Sequence, residues 1–125
     1  MRLLLDTHFL YWWFYEPHRI PYKIHTMITD AEEIHFSSAS IWEIAIKSRL
    51  GKMKADPGEL LHWIGQNDFQ ELPVFSRHAL VVSTLPMHHS DPFDRLLIAQ
   101  AMSEPLHLIT VDSKLKRYSD LVVIV

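Results

Sequence analysis

The chain has 125 residues, 48% of them hydrophobic and 22% charged, a balance that fits one globular domain over 1–125 with a full core. It has no cysteine, which excludes disulfides and thiolate metal sites and suits a reducing cytoplasm. The net charge of −3 argues against a nucleic-acid partner, unless acids are withdrawn to one place; setting four aside leaves the remainder at +1. Asp6 interrupts the first apolar run too early for a signal peptide, and Phe9 to Tyr15 is too short to cross a bilayer. A soluble, cytoplasmic protein without a membrane partner is expected.

In chain order, Arg2 to Leu5 is a short apolar run that reads as a buried strand. Asp6 or Thr7 can cap the helix that follows through Trp12, Trp13 and Tyr15, with Pro17 as its stop. Ile24, Met27 and Ile28 share one face of a helix from about Pro21 to Ala31, and Glu33 to Ser37 reads as the second strand. Ser38 to Leu50 is the clearest helix. Ile41, Ile44, Ala45 and Leu50 recur at helical spacing, Ser38 or Ser40 can cap it, and Gly51 stands where a C-cap belongs.

Pro57 opens a helix through Leu60, Leu61 and Ile64, and Phe69 to Val74 is the third strand. Ser76 is expected to cap a helix running to Leu85. Pro92 suits the first turn of a helix from Asp91 to Ser103, capped by Asp91 and stopped by Pro105, with Leu97, Ile98 and Ala101 facing a core. Leu106 to Val111 is the fourth strand, a short basic helix runs to Tyr118, and Leu121 to Val125 closes the chain as a strand. Only three glycines and no low-complexity segment occur, so no linker or second domain is evident. The alternation predicts an α/β sandwich around a parallel five-stranded sheet.

Such sheets carry their working site at the carboxyl ends of the strands, near the topological switch point. Asp6 and Asp112 follow strands there, Asp94 opens a helix aimed at that edge, and Glu43 lies in the second turn of the helix after strand two. Gathered carboxylates repel one another unless a cation compensates. Oxygen-only ligands select a hard ion, Mg²⁺ or Mn²⁺, which can activate water and stabilise the leaving oxygen of a phosphodiester, commonly as a two-ion pair about 3.5–4 Å apart. Taken singly, each acid is more simply a cap or a surface charge. Asp6 is the exception, since an acid ending a buried strand has little evident structural purpose.

Four segments together resemble the PIN-domain nucleases, and within them the VapC-type toxins of toxin–antitoxin pairs. They are Leu3-Leu4-Leu5-Asp6-Thr7-His8, Ser40-Ile41-Trp42-Glu43 on to Lys47, Asp91-Pro92-Phe93-Asp94-Arg95 on to Ala101, and Thr110-Val111-Asp112. The resemblance runs end to end in unchanged order. It implies a sheet in order 3-2-1-4-5 and a Mg²⁺- or Mn²⁺-dependent endoribonuclease. Asp6, Glu43, Asp94 and Asp112 match the family's four catalytic, metal-binding acids. Thr7 and Thr110 match its small hydroxyl residues, which orient carboxylates or bound water. Asp91 fits a subgroup and is given the capping role. Arg95, next to the third acid, is expected to pair with a carboxylate or hold a phosphate. The resemblance also implies homodimers, an RNA substrate and an antitoxin that inserts a segment toward the acidic pocket.

Other residues invite further readings. Lys47 and Arg49, a turn beyond Glu43, are candidates for RNA phosphates. Nine histidines suggest zinc, but His88 and His89 are adjacent, their rings diverge, and no pair has helical metal spacing. They are expected as loop or surface histidines. Tyr11 to Tyr15 is too aromatic to bury on one helix face; its outer side is expected to dock a dimer mate or antitoxin, with base stacking the lesser use. A phosphoacceptor receiver domain would want paired acids after strand one and an Asp ending strand three, where Leu72-Pro73-Val74 stands. The serious rival is a non-catalytic PIN fold that binds RNA or protein.

Overall fold

A computed structural model describes all residues, 1–125. Five parallel strands form one sheet in the order β3-β2-β1-β4-β5: β1 Arg2–Leu5, β2 Glu33–Ser37, β3 Phe69–Leu72, β4 His107–Thr110 and β5 Val122–Ile124. The intervening helices are α1 Thr7–Tyr15, α2 Tyr22–Thr29, α3 Ser38–Arg49, α4 Pro57–Gly65, α5 Ser76–Thr84 and α6 Pro92–Ser103. Short 3₁₀ turns cover Pro17–Arg19 and Ser113–Arg117. This is the mixed α/β sandwich expected. No helix is long and apolar enough to cross a membrane.

Alternation along β1 builds the layers. Leu4 faces one side, where it joins Leu97, Ile98 and Ala101 of α6 with Leu108 and Val122. Leu3 and Leu5 face the other, against Phe9 of α1 and Ile24 and Ile28 of α2. A third cluster sets Leu10 and Tyr11 of α1, Ile44 of α3 and Leu60 and Ile64 of α4 over Phe36. Leu97 is fully buried, so Leu97→Ala is expected to cost about 2–5 kcal/mol. Leu80, on the exposed face of α5, should tolerate Ala within about 0.5 kcal/mol. Equal urea midpoints for the two variants would contradict this layering.

Several boundaries differ from the sequence reading, each for a local reason. β3 stops at Leu72 because Pro73 has no N–H to donate. Ser37, not Ser38 or Ser40, caps α3, its hydroxyl accepting the Ala39 N–H at 3.0 Å. Leu50 is exposed beyond the end of α3, while Gly51 takes the left-handed φ of 74° expected just past a helix. Ser76 is the first residue of α5 rather than its cap; the His78 ring accepts the Phe75 N–H at 3.0 Å instead. The basic segment before Tyr118 is a 3₁₀ turn.

The aromatic run of α1 is also more fully used than its composition suggests. Trp13 stacks on His25 with centroids 5.0 Å apart, Phe14 meets Phe69 at 5.6 Å, and Tyr15 meets Trp63 at 5.2 Å. Residues of α2, β3 and α4 therefore cover rings that the sequence left for a partner protein.

Candidate metal centre

β1 sits between β2 and β4, with Leu5 opposite Ile109, so the next residues out, Asp6 and Thr110, meet at the carboxyl edge. The Asp6 N–H donates to the Ile109 carbonyl at 3.1 Å, and the Thr110 side chain beside it favours the charged form of the Asp6 carboxyl. Asp6 also caps α1, accepting the Phe9 N–H at 2.9 Å. Of the two caps expected for α1, Asp6 is therefore the one used, which gives this strand-ending acid a structural role as well.

Glu43 enters from α3 and is nearly buried. Its Oε1 accepts from the Thr7 hydroxyl at 2.6 Å, and Oε2 accepts from Lys47 Nζ at 2.6 Å. Thr7 Oγ1 lies 2.9 Å from Ser40 Oγ, so the first turns of α1 and α3 together fix this carboxylate. Lys47, read as an RNA contact, is thus held inward by a residue four positions before it. Arg49 remains exposed at the end of α3.

Asp94 arrives in the first turn of α6, where Asp91 takes the cap expected of it and accepts the Asp94 N–H at 2.9 Å. Asp112, beyond β4, caps the 3₁₀ turn through the Lys114 N–H at 3.0 Å, and its own N–H donates to Thr110 Oγ1 at 3.1 Å.

The charges feel one another. Burial pushes the Asp6 carboxyl up to about 6, against the opposing hydrogen bonds from Phe9, Thr110 and His8, and the Glu43 charge adds to the rise. Burial also pushes Asp94 up to about 7, helped by the charges of Asp91, Asp6 and Glu43 and opposed by His89. Partial burial would raise Asp112 as well, but the Lys114 amide and His89 outweigh it and hold the carboxyl below its usual range. Asp6 and Asp94 are therefore carboxylates in want of a cation, and their hard oxygen donors are of the kind that suits Mg²⁺ or Mn²⁺.

His89 is the site residue that the sequence reading missed. Its Nε2 lies 2.7 Å from Asp112 Oδ2 and 3.2 Å from Asp94 Oδ2. Ligand atoms of His89, Asp94 and Asp112 lie within 4.8 Å of one another, close enough for one divalent ion. The rings of His88 and His89 do diverge: His88 packs edge-on against Tyr118, 5.0 Å between centroids. Divergence frees His89 for the acids: it lies in the loop before α6, as expected, but half-buried against them rather than free on the surface. The available signal was its position two residues before the cap of a helix that carries a site acid.

Arg95 departs from expectation too. Its guanidinium donates to the carbonyls of Val82, Leu85, Pro86 and His89 and to the Tyr118 hydroxyl, at 3.0–3.4 Å. One residue along the helix from Asp94, its side chain turns away from the carboxylates and fastens the loop before α6.

The sequence profile of the PIN domain family matches residues 3–121. The chain is 29% identical over 120 residues to "Ribonuclease VapC22" of Mycobacterium tuberculosis, covering 93% of this chain and 91% of that protein. The fold matches the crystal structure of VapBC2 from Rickettsia felis bound to a promoter DNA fragment, with a TM-score of 0.72 and 18% identity over 100% of this chain and 98% of that one. It also matches a toxin–antitoxin complex from Klebsiella pneumoniae, TM-score 0.67 and 17% identity over 97% and 95% of the two chains. FitAcB from Neisseria gonorrhoeae gives 0.66 and 18% over 98% and 96%.

Proposed function

The chain belongs to the PIN domain family and is related to VapC-family toxins, and from that premise we propose that it is a Mg²⁺- or Mn²⁺-dependent endoribonuclease. The observation that carries this is the pair Asp6 and Asp94, two acids from distant segments whose carboxyls burial and shared negative charge push up to about 6 and about 7. A purely structural site has little use for acids gathered at the strand edge; a hydrolytic one has reason to gather them. Asp6, Glu43, Asp94 and Asp112 are the residues that would hold the ion. When bound there, a divalent ion supplies an activated water and stabilises the leaving oxygen of the cleaved phosphodiester.

The chain's own residues arrange this. Thr7 orients Glu43, and the Thr110 hydroxyl orients Asp112 by accepting its N–H while favouring the charged form of Asp6. Lys47 balances Glu43, and Arg49, exposed at the end of α3, offers charge to RNA phosphates. The same proposal makes residues 1–125 a single cytoplasmic toxin domain, a homodimer, inhibited by an antitoxin. The toxin–antitoxin assemblies of similar fold support that partner.

Purified protein is expected to cleave a mixed RNA pool in Mg²⁺ or Mn²⁺ and to stop in EDTA, with Asp94→Asn inactive in either ion. A folded protein that leaves RNA intact yet retains it on a filter would favour the non-catalytic module.

A further inference from the structure

His89 is fixed from three directions. Its N–H and that of His88 both donate to the Tyr118 hydroxyl, at 2.9 and 3.0 Å. Its carbonyl accepts from Arg95, which also reaches that hydroxyl and three neighbouring carbonyls. Its ring Nδ1 accepts the Asp91 N–H at 3.1 Å. A nitrogen that accepts a backbone N–H carries no hydrogen, so the ring hydrogen sits on Nε2. There it points at Asp112 Oδ2 and lies near Asp94 Oδ2.

An imidazole ligates a metal through a bare nitrogen, with the other nitrogen carrying the hydrogen and usually donating it. Here the order is reversed: Nδ1 faces a donor, and Nε2 carries the hydrogen toward the acids. A surface histidine has no use for such a clamp. We propose that His89 is a positioning residue of the carboxylate site, an Nε2–H donor outside the ligand set that holds Asp112 against Asp94. This rests on the metal-dependent reading above. Asp112 is where such a hold matters. Its side chain is 33% exposed, against 6% for Glu43, and it lies beyond the end of β4 with Oδ1 already committed to the Lys114 N–H. His89 takes the remaining oxygen and turns it inward.

The test is Mn²⁺ binding by the full chain, measured by calorimetry. Loss of a residue that orients a metal ligand typically weakens affinity about 10–100-fold. His89→Ala is expected to weaken Mn²⁺ binding at least about tenfold, and His89→Gln, whose amide restores an N–H donor, to recover most of it. His89→Ala with Asp112→Asn should bind no more weakly than Asp112→Asn alone, because both remove the same carboxylate. Pulsed electron paramagnetic resonance of the Mn²⁺-loaded protein should show no directly bound nitrogen. Unchanged affinity in His89→Ala, losses that multiply in the double variant, or a nitrogen coupling would each overturn the proposal, the last by making His89 a ligand. Should His89→Ala not fold, the nitrogen coupling and His89→Gln still decide. Native protein that binds no Mn²⁺ would instead overturn the metal-dependent reading itself.

Discussion

Asp6→Asn is expected to lose at least about 100-fold of RNA cleavage while keeping the fold. A bound divalent ion is worth several kcal/mol of transition-state stabilisation, and each 1.36 kcal/mol is tenfold in rate. Loss of one central ligand is therefore felt over orders of magnitude. The fold survives because Asn keeps the oxygen that accepts the Phe9 N–H, and Asn caps helices about as well as Asp. Shape and volume barely change, so no cavity opens in the clusters around Leu5 and Phe9. Single-turnover cleavage beside a thermal melt checks both halves. A variant that melts like the native protein and cleaves at the native rate would remove Asp6 from the site.

The second large effect concerns stability and pH. Asp6 at about 6 and Asp94 at about 7 both titrate above the value of 3.8 that an unperturbed Asp would have in the unfolded chain. Between those values the fold binds more protons than the unfolded chain, so stability falls as pH rises. The contribution is intact below pH 4 and lost above about 7. For Asp6, almost wholly buried, the loss is on the order of 3 kcal/mol. His35 acts oppositely, because burial lowers its pKa and a rising pH relieves it. Comparing native protein with Asp6→Asn cancels His35. In EDTA the variant should be the more stable at pH 8, with the difference vanishing near pH 4. Mn²⁺ should close the gap at pH 8 by stabilising the native protein. A native chain that is the more stable of the two at pH 8 in EDTA would show that these acids are compensated without a metal.

Much of this was legible in the sequence because the signals are local. The short unbroken apolar run of β1, Pro92 after Asp91, and Gly51 after α3 each state their own conformation. So did the ordering of strands and helices, from which the convergence of Asp6, Glu43, Asp94 and Asp112 on one edge could be expected. What was not legible depends on neighbours distant in sequence. Arg95 looks like a carboxylate partner from adjacency to Asp94, but the 100° turn per helical residue sends it toward the carbonyls of Val82 and Leu85 at the end of α5. The rings of Trp13, Phe14 and Tyr15 look unpartnered until α2, β3 and α4 are placed against them. His89 acquires its role only when Tyr118, 29 residues away, fixes its backbone and the strand order delivers Asp112.

The proposed function requires the acids of four distant segments to hold divalent metal together. Anomalous diffraction from crystals grown with Mn²⁺ tests it directly. A manganese peak is expected among the carboxylates of Asp6, Glu43, Asp94 and Asp112, absent from Asp94→Asn crystals. A map with no peak there, or with manganese bound only at surface acids such as Asp68 or Glu71, would contradict it.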